Sequence, residues 1–177
     1  MTSETPAAPV DPEALARSIV LRQLTASPRS RKQLTDALAK REVPDEVAST
    51  VLDRFEELRL IDDAEFAALW VRSRAEHRSL ARGVLRRELV EKGISADLIE
   101  QALAQRSDNQ ERASARELVR RKLRTVPHGP WDRAMRDNLM RRLTSMLARR
   151  GYPSSLAWSV VSAELEALGA ESDVGYS

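Results

Sequence analysis

The chain contains no cysteine in its 177 residues, which excludes disulfides, thiolate metal sites, iron–sulfur clusters and cysteine nucleophiles. Its two histidines, His77 and His128, are too few for the usual zinc sites. Aromatic residues make only 4% of the chain, so a core must be built from Leu, Val, Ile and Ala. Glycine is scarce, at six residues, and none falls in a Gly-x-Gly-x-x-Gly run, a P-loop or a Gly-x-Ser-x-Gly elbow. No apolar run approaches the roughly 20 residues of a membrane span. The N-terminus lacks a basic region followed by an apolar stretch, so no secretory signal is expected and the protein is expected to be cytoplasmic.

What the chain does contain is apolar matter (42%) and charge (32%) in large amounts. Sustained disorder is therefore not expected, but a densely charged surface is. The net charge of +2 conceals segregation. Residues 17–41 hold seven Lys/Arg against one Asp, whereas residues 42–66 hold nine acids against Arg54 and Arg59. Residues 71–92 carry seven bases and three acids, and residues 111–150 carry twelve bases and four acids. The last sixteen residues carry four acids and no base. The basic block at 111–150 has enough local charge to attract phosphates or an acidic protein face. The plainer reading is that such blocks are solvated helix faces that attract one another.

Helical periodicity fills the chain between its ends. Val47, Ala48, Val51, Leu52, Phe55 and Leu58 form one apolar stripe, as do Phe66, Leu69 and Trp70, then Leu98, Ile99, Ala102 and Leu103. Met135, Leu139, Leu143, Met146 and Leu147 mark a longer helix. Ser30 with Gln33, and Asp62 with Glu65, have the spacing of capping boxes. Gly93 and Gly151 stand where helices should end in the left-handed conformation. Pro127, Gly129 and Pro130 predict a loop near 125–131.

One unit occurs three times. Leu34 and Leu38 precede Arg41-Glu42-Val43-Pro44; Leu85 and Leu89 precede Lys92-Gly93-Ile94-Ser95; Leu143 and Leu147 precede Arg150-Gly151-Tyr152-Pro153. The offsets are 51 and 58 residues. A further helix is expected before each pair, over about 13–25, 62–76 and 109–124. The fold class expected is therefore all-α, an elongated and curved tandem array of three three-helix repeats with about nine helices. The repeats are placed at 13–61, 62–106 and 107–168, between a flexible tail at 1–12 and an acidic tail at 169–177.

Catalytic chemistry finds little support. His77 lies among Arg74, Glu76 and Arg78 with no triad-like partner, and His128 sits in the Pro-rich loop. Asp53, Glu56, Glu57, Asp62, Asp63 and Glu65 read as a cap and a solvated face rather than a magnesium cluster. No enzyme, cofactor or metal is expected. Sequence-specific DNA readout is disfavoured too. The helices after each turn begin Pro44-Asp45-Glu46, Ser95-Ala96-Asp97 and Pro153-Ser154-Ser155, acidic or neutral where a recognition helix meets phosphates. The bases lie on the preceding helices, which suits an extended target contacted through its backbone charge. Trp70 reads as core, and Trp131 and Trp158 as satellite packing rather than contact anchors.

The run Asp62-Asp63-Ala64-Glu65-Phe66-Ala67-Ala68-Leu69-Trp70-Val71-Arg72-Ser73-Arg74, continued by Gly83-Val84-Leu85-Arg86-Arg87-Glu88-Leu89 and Lys92-Gly93-Ile94, resembles the RecX family of bacterial RecA regulators. Leu147-Ala148-Arg149-Arg150-Gly151-Tyr152, and Pro28-Arg29-Ser30-Arg31 with Leu34, resemble it as well. The resemblance covers about residues 14–168. It implies three tandem three-helix repeats. It implies binding to RecA and to the groove of the RecA–single-stranded DNA filament, with inhibition of RecA ATPase, strand exchange and coprotease functions in recombination, repair and the SOS response. Glu42, where the other copies have glycine, and the loop at 125–131 depart from the pattern. The candidate contact residues for RecA or DNA are Arg72, Arg74, Arg82, Arg86, Arg87, Lys92, Arg141, Arg142, Arg149 and Arg150. A monomer with at most weak direct DNA binding and no membrane association is expected. The alternatives are a helical nucleic-acid-binding protein acting without RecA, and a purely protein-binding scaffold.

Overall fold

The computed structural model describes residues 11–126 and 131–174, with side chains through residue 168. The described residues form nine α-helices and no strand. The first unit holds α1 (Pro12–Ala26), α2 (Arg31–Ala39) and α3 (Asp45–Glu57). The second holds α4 (Asp63–Arg78), α5 (Arg82–Glu91) and α6 (Ala96–Ala104). The third holds α7 (Asp108–Leu123), α8 (Arg133–Arg149) and α9 (Ser154–Val174). In each unit the first and third helices pack on one another, and the middle helix packs on the third.

Local chemistry sets the helix starts. Ser30 and Gln33 close a full capping box on α2. At α4 only half of the anticipated box forms: the Glu65 N–H donates to Asp62 Oδ1 at 2.9 Å. A box not anticipated, Ser107 with Gln110, starts α7. The turns that end α5 and α8 place Gly93 and Gly151 at φ +78° and +86°. Glu42, their counterpart in the first unit, takes the same left-handed conformation at φ +57°, although its Cβ makes that costly.

Three apolar cores follow the three units. The paired leucines of the repeat, Leu34 and Leu38, Leu85 and Leu89, Leu143 and Leu147, are all buried, one pair in each core. Each such side chain contributes about 1.5–3 kcal/mol over leaving it in water. Several anticipated core residues lie outside. Met135, in the first turn of α8, is 44% exposed, and Leu58 and Leu69 are also exposed. Trp158 is 60% exposed and is not satellite packing. Trp131 does pack against the third core, and Trp70 is half-buried against the second. Helix α9 runs to Val174, into the stretch expected as a tail from residue 169. The expected tail at 1–12 falls almost wholly outside the described residues, as do Pro127, His128, Gly129 and Pro130 of the loop.

Consecutive units meet through one contact used twice. The Ser30 hydroxyl donates to the Lys92 carbonyl at 2.7 Å, and the Arg31 N–H donates to Asp63 Oδ1 at 2.8 Å. At the next joint the Ala81 N–H donates to the Arg150 carbonyl at 2.9 Å, and the Arg82 N–H donates to Glu111 Oε1 at 2.9 Å. The start of a middle helix thus rests on the second turn of the next unit. A carboxylate from that unit's first helix accepts one of its orphan N–H groups. Burial pushes the Asp63 carboxyl above its ordinary value, against the pull of Arg31. Tyr152 reinforces the second joint by donating its hydroxyl to the Ser79 carbonyl at 2.9 Å.

Candidate interaction surface

The ten arginines and lysines singled out in the sequence fall into two groups. Five are held within the fold. Arg82 donates through Nη1 to Asp108 at 2.7 Å and through Nη2 to the Arg106 carbonyl, and its Nε lies 3.6 Å from Glu111. Arg86 grips Glu100 with both prongs, at 2.8 and 2.9 Å. That grip holds the Glu100 carboxyl below its ordinary value. Arg150 donates to the Arg78 carbonyl across the joint and is only partly exposed. Arg74 and Lys92 lie over the Trp70 ring, at 4.2 and 4.0 Å from its centroid. The same indole donates to Glu88 at 2.7 Å. Burial, with help from nearby Arg74 and Arg29, lowers the Lys92 amine from its ordinary value.

The other five are available at the surface. Arg72, Arg87, Arg141 and Arg142 are exposed and make no ion pair or side-chain hydrogen bond among the described residues. Arg149 is exposed and reaches only the Ser145 hydroxyl on its own helix. Arg142 and Arg149 lie seven residues apart on α8, hence on one side of it two turns apart, while Leu139, Leu143 and Leu147 face the core. Arg121 and Lys122 on α7, and Arg133 and Arg136 on α8, which the sequence pattern alone does not mark, are also exposed and unpaired among the described residues.

The acids have definite places. Arg31 binds Asp53 and Glu56 at 2.7 and 2.5 Å, Arg54 binds Glu57 at 2.7 Å, and Asp62 caps α4. No three His, Cys, Asp or Glu side chains converge among the described residues. No helix among them is long and apolar enough to cross a membrane.

Two stretches match family models, residues 16–55 the first three-helix domain of RecX and residues 62–103 the second. The regulatory protein RecX of Thermobifida fusca (strain YX) is 50% identical over 167 residues, spanning 94% of this chain and 88% of that one. The chain belongs to the RecX family. The regulatory protein RecX of Streptomyces lividans is 49% identical, over 93% of this chain and 85% of its own length. The RecX crystal structure from Lactobacillus salivarius superposes with a TM-score of 0.76 over 88% of this chain and 97% of that one, at 19% identity, and so shares the fold. A second crystal structure of a regulatory protein RecX gives a TM-score of 0.73 at 25% identity, over 85% of this chain and 73% of the other.

Three charged residues that hold this RecX fold together carried no signal in the sequence. Buried Arg106 donates to the Leu80 carbonyl at 2.6 Å and to the Ser114 hydroxyl at 2.7 Å, tying the end of α6 to the α4–α5 loop and to α7. Buried Glu164 on α9 accepts from Arg120 of α7 at 2.7 Å and pairs with Arg116 at 3.2 Å. Buried Glu111 accepts the Arg82 N–H at the second joint. Each is one charge among many in the sequence, and only the long-range fold distinguishes it.

Proposed function

We propose that this chain is a non-enzymatic, cytoplasmic regulator that binds RecA and the RecA–single-stranded DNA filament as a monomer and inhibits RecA ATPase, strand exchange and coprotease functions. Membership of a family of regulatory proteins supports this reading. The observation that carries it is the set of unopposed cations on the second and third units: Arg72, Arg87, Arg141, Arg142 and Arg149. Their partners lie outside the fold, whereas Arg74, Arg82, Arg86, Lys92 and Arg150 serve folding first and contact the filament only through whatever surface they still expose.

The test is co-sedimentation with RecA on single-stranded DNA beside an ATPase assay. Reversing Arg87, Arg142 and Arg149 to Glu should leave stability within about 0.5 kcal/mol per site, since these are surface changes. Filament binding and ATPase inhibition should weaken together. Folded variants that still inhibit RecA at the parent concentration refute the reading. Tight, salt-sensitive DNA binding with no effect on RecA would favour a nucleic-acid-binding protein acting independently.

A further inference from the structure

The joints close the second turn of the second and third units, and neither joint reaches the equivalent turn of the first unit. Arg41 stands where Lys92 and Arg150 stand in the later units. The Lys92 and Arg150 carbonyls each receive a bond from the preceding unit. Lys40 and Arg41, in the corresponding turn of the first unit, are exposed. They line a groove with Arg22 of α1 and Arg29 of the α1–α2 loop.

The charge in this groove is one-sided. Arg22, Lys40 and Arg41 are exposed and make no ion pair or side-chain hydrogen bond among the described residues. Arg29 buries its Nε with no partner. The acid in the lining, Asp36, is already held by Lys32 at 2.8 Å. Lys40 and Arg41 also suit the negative end of the α2 dipole, which accounts for two of the cations without any ligand. It does not account for Arg22, which lines the same groove from α1.

We propose that this groove binds the phosphodiester backbone of a polynucleotide through Arg22, Arg29, Lys40 and Arg41. Guanidinium forks take phosphate oxygens in pairs, and several cations along one groove match a repeating anion better than a single one. The lining holds no aromatic side chain on which bases could stack, so contact is with the backbone and is indifferent to sequence. The site stands apart from the second- and third-unit cations of the filament reading, and its test needs no RecA.

The experiment is fluorescence anisotropy of the full chain with a labelled oligothymidylate and with a labelled duplex, across a salt titration. The variant is R22Q with K40Q and R41Q. Affinity should fall, and the log–log salt slope should become shallower by about 0.7 per lost contact on the single strand, so up to roughly 2 for all three, and by about 0.9 per contact on the duplex. The charge-preserving R22K with R41K should keep most of the slope. R22Q singly covers the case in which the triple variant unfolds. An unchanged slope in folded variants overturns the proposal, and so does a parent chain that binds neither oligonucleotide. Weaker filament binding with an unaltered oligonucleotide slope also overturns it, because the groove then meets an acidic protein face instead.

Discussion

Replacing Gly151 with Ala probes the turn and the joint together. Gly151 holds φ +86°, a conformation that costs an L-residue about 1–2 kcal/mol. A Cβ there would lie 2.6 Å from the Val84 backbone nitrogen and 2.7 Å from Val84 Cγ2, so α5 must move or the turn must open. Overpacking of this kind costs about 1–3 kcal/mol. Stiffening of the unfolded chain offsets about 0.4–1 kcal/mol. The net expectation is a loss of about 1–4.5 kcal/mol, a sizeable part of the roughly 5–15 kcal/mol that holds a typical domain folded. Equilibrium urea unfolding of parent and variant measures it. A Val84→Ala background removes the methyl clash but not the backbone one, so it should recover less than half of the loss in a double-mutant cycle. A Gly151→Ala variant within about 0.5 kcal/mol of the parent, where unremarkable surface changes fall, refutes the close-contact argument. Full rescue by Val84→Ala would place the obstruction in a side chain rather than in the backbone.

Glu42→Gly should act in the opposite sense, because relief of about 1–2 kcal/mol at φ +57° exceeds the roughly 0.5–1 kcal/mol entropic cost of glycine. A urea midpoint that fails to rise would contradict it. Arg106→Met removes two charge-assisted donors from the Leu80 carbonyl and the Ser114 hydroxyl and should cost about 2–3 kcal/mol, read by the same unfolding assay. An unchanged midpoint would mean that water replaces both bonds without loss. Asp63 has its folded value raised above 3.8, so the native state binds that proton more readily than the unfolded chain. The parent should therefore gain stability relative to Asp63→Asn as pH falls from the raised value toward 3.8, and the amide should be no less stable at neutral pH. A pH-independent difference between the two proteins would remove burial as the cause.

The repeat was legible because its signal is periodic and local. Paired leucines four apart, a base in the last turn and a glycine after it recur at fixed offsets, and all six leucines are buried. Glu42 concealed the left-handed turn of the first unit behind a residue that seldom adopts it, yet the register with Gly93 and Gly151 places it there. The capping box at Ser107 is present in the spacing but does not stand out among many polar residues. The surface was harder to read. Arg86 and Arg87 are neighbours in sequence, but the helix turns one toward Glu100 and leaves the other in water. Partners separated by long stretches of chain, such as Arg82 with Glu111 or Arg150 with Arg78, are set by how units stack, and no window along the sequence contains both.

Most bonds that fasten one unit to the next have a main-chain atom on at least one side: the Lys92 and Arg150 carbonyls, and the N–H groups of Arg31, Ala81 and Arg82. A backbone donor or acceptor survives almost any substitution that leaves its dihedrals intact. The joints therefore constrain conformation at a few positions far more than they constrain side-chain identity. A lineage that keeps the left-handed turn and the neighbouring carboxylates can exchange its exposed charges almost freely, and tune what the surface recognises, without re-engineering how the units stack.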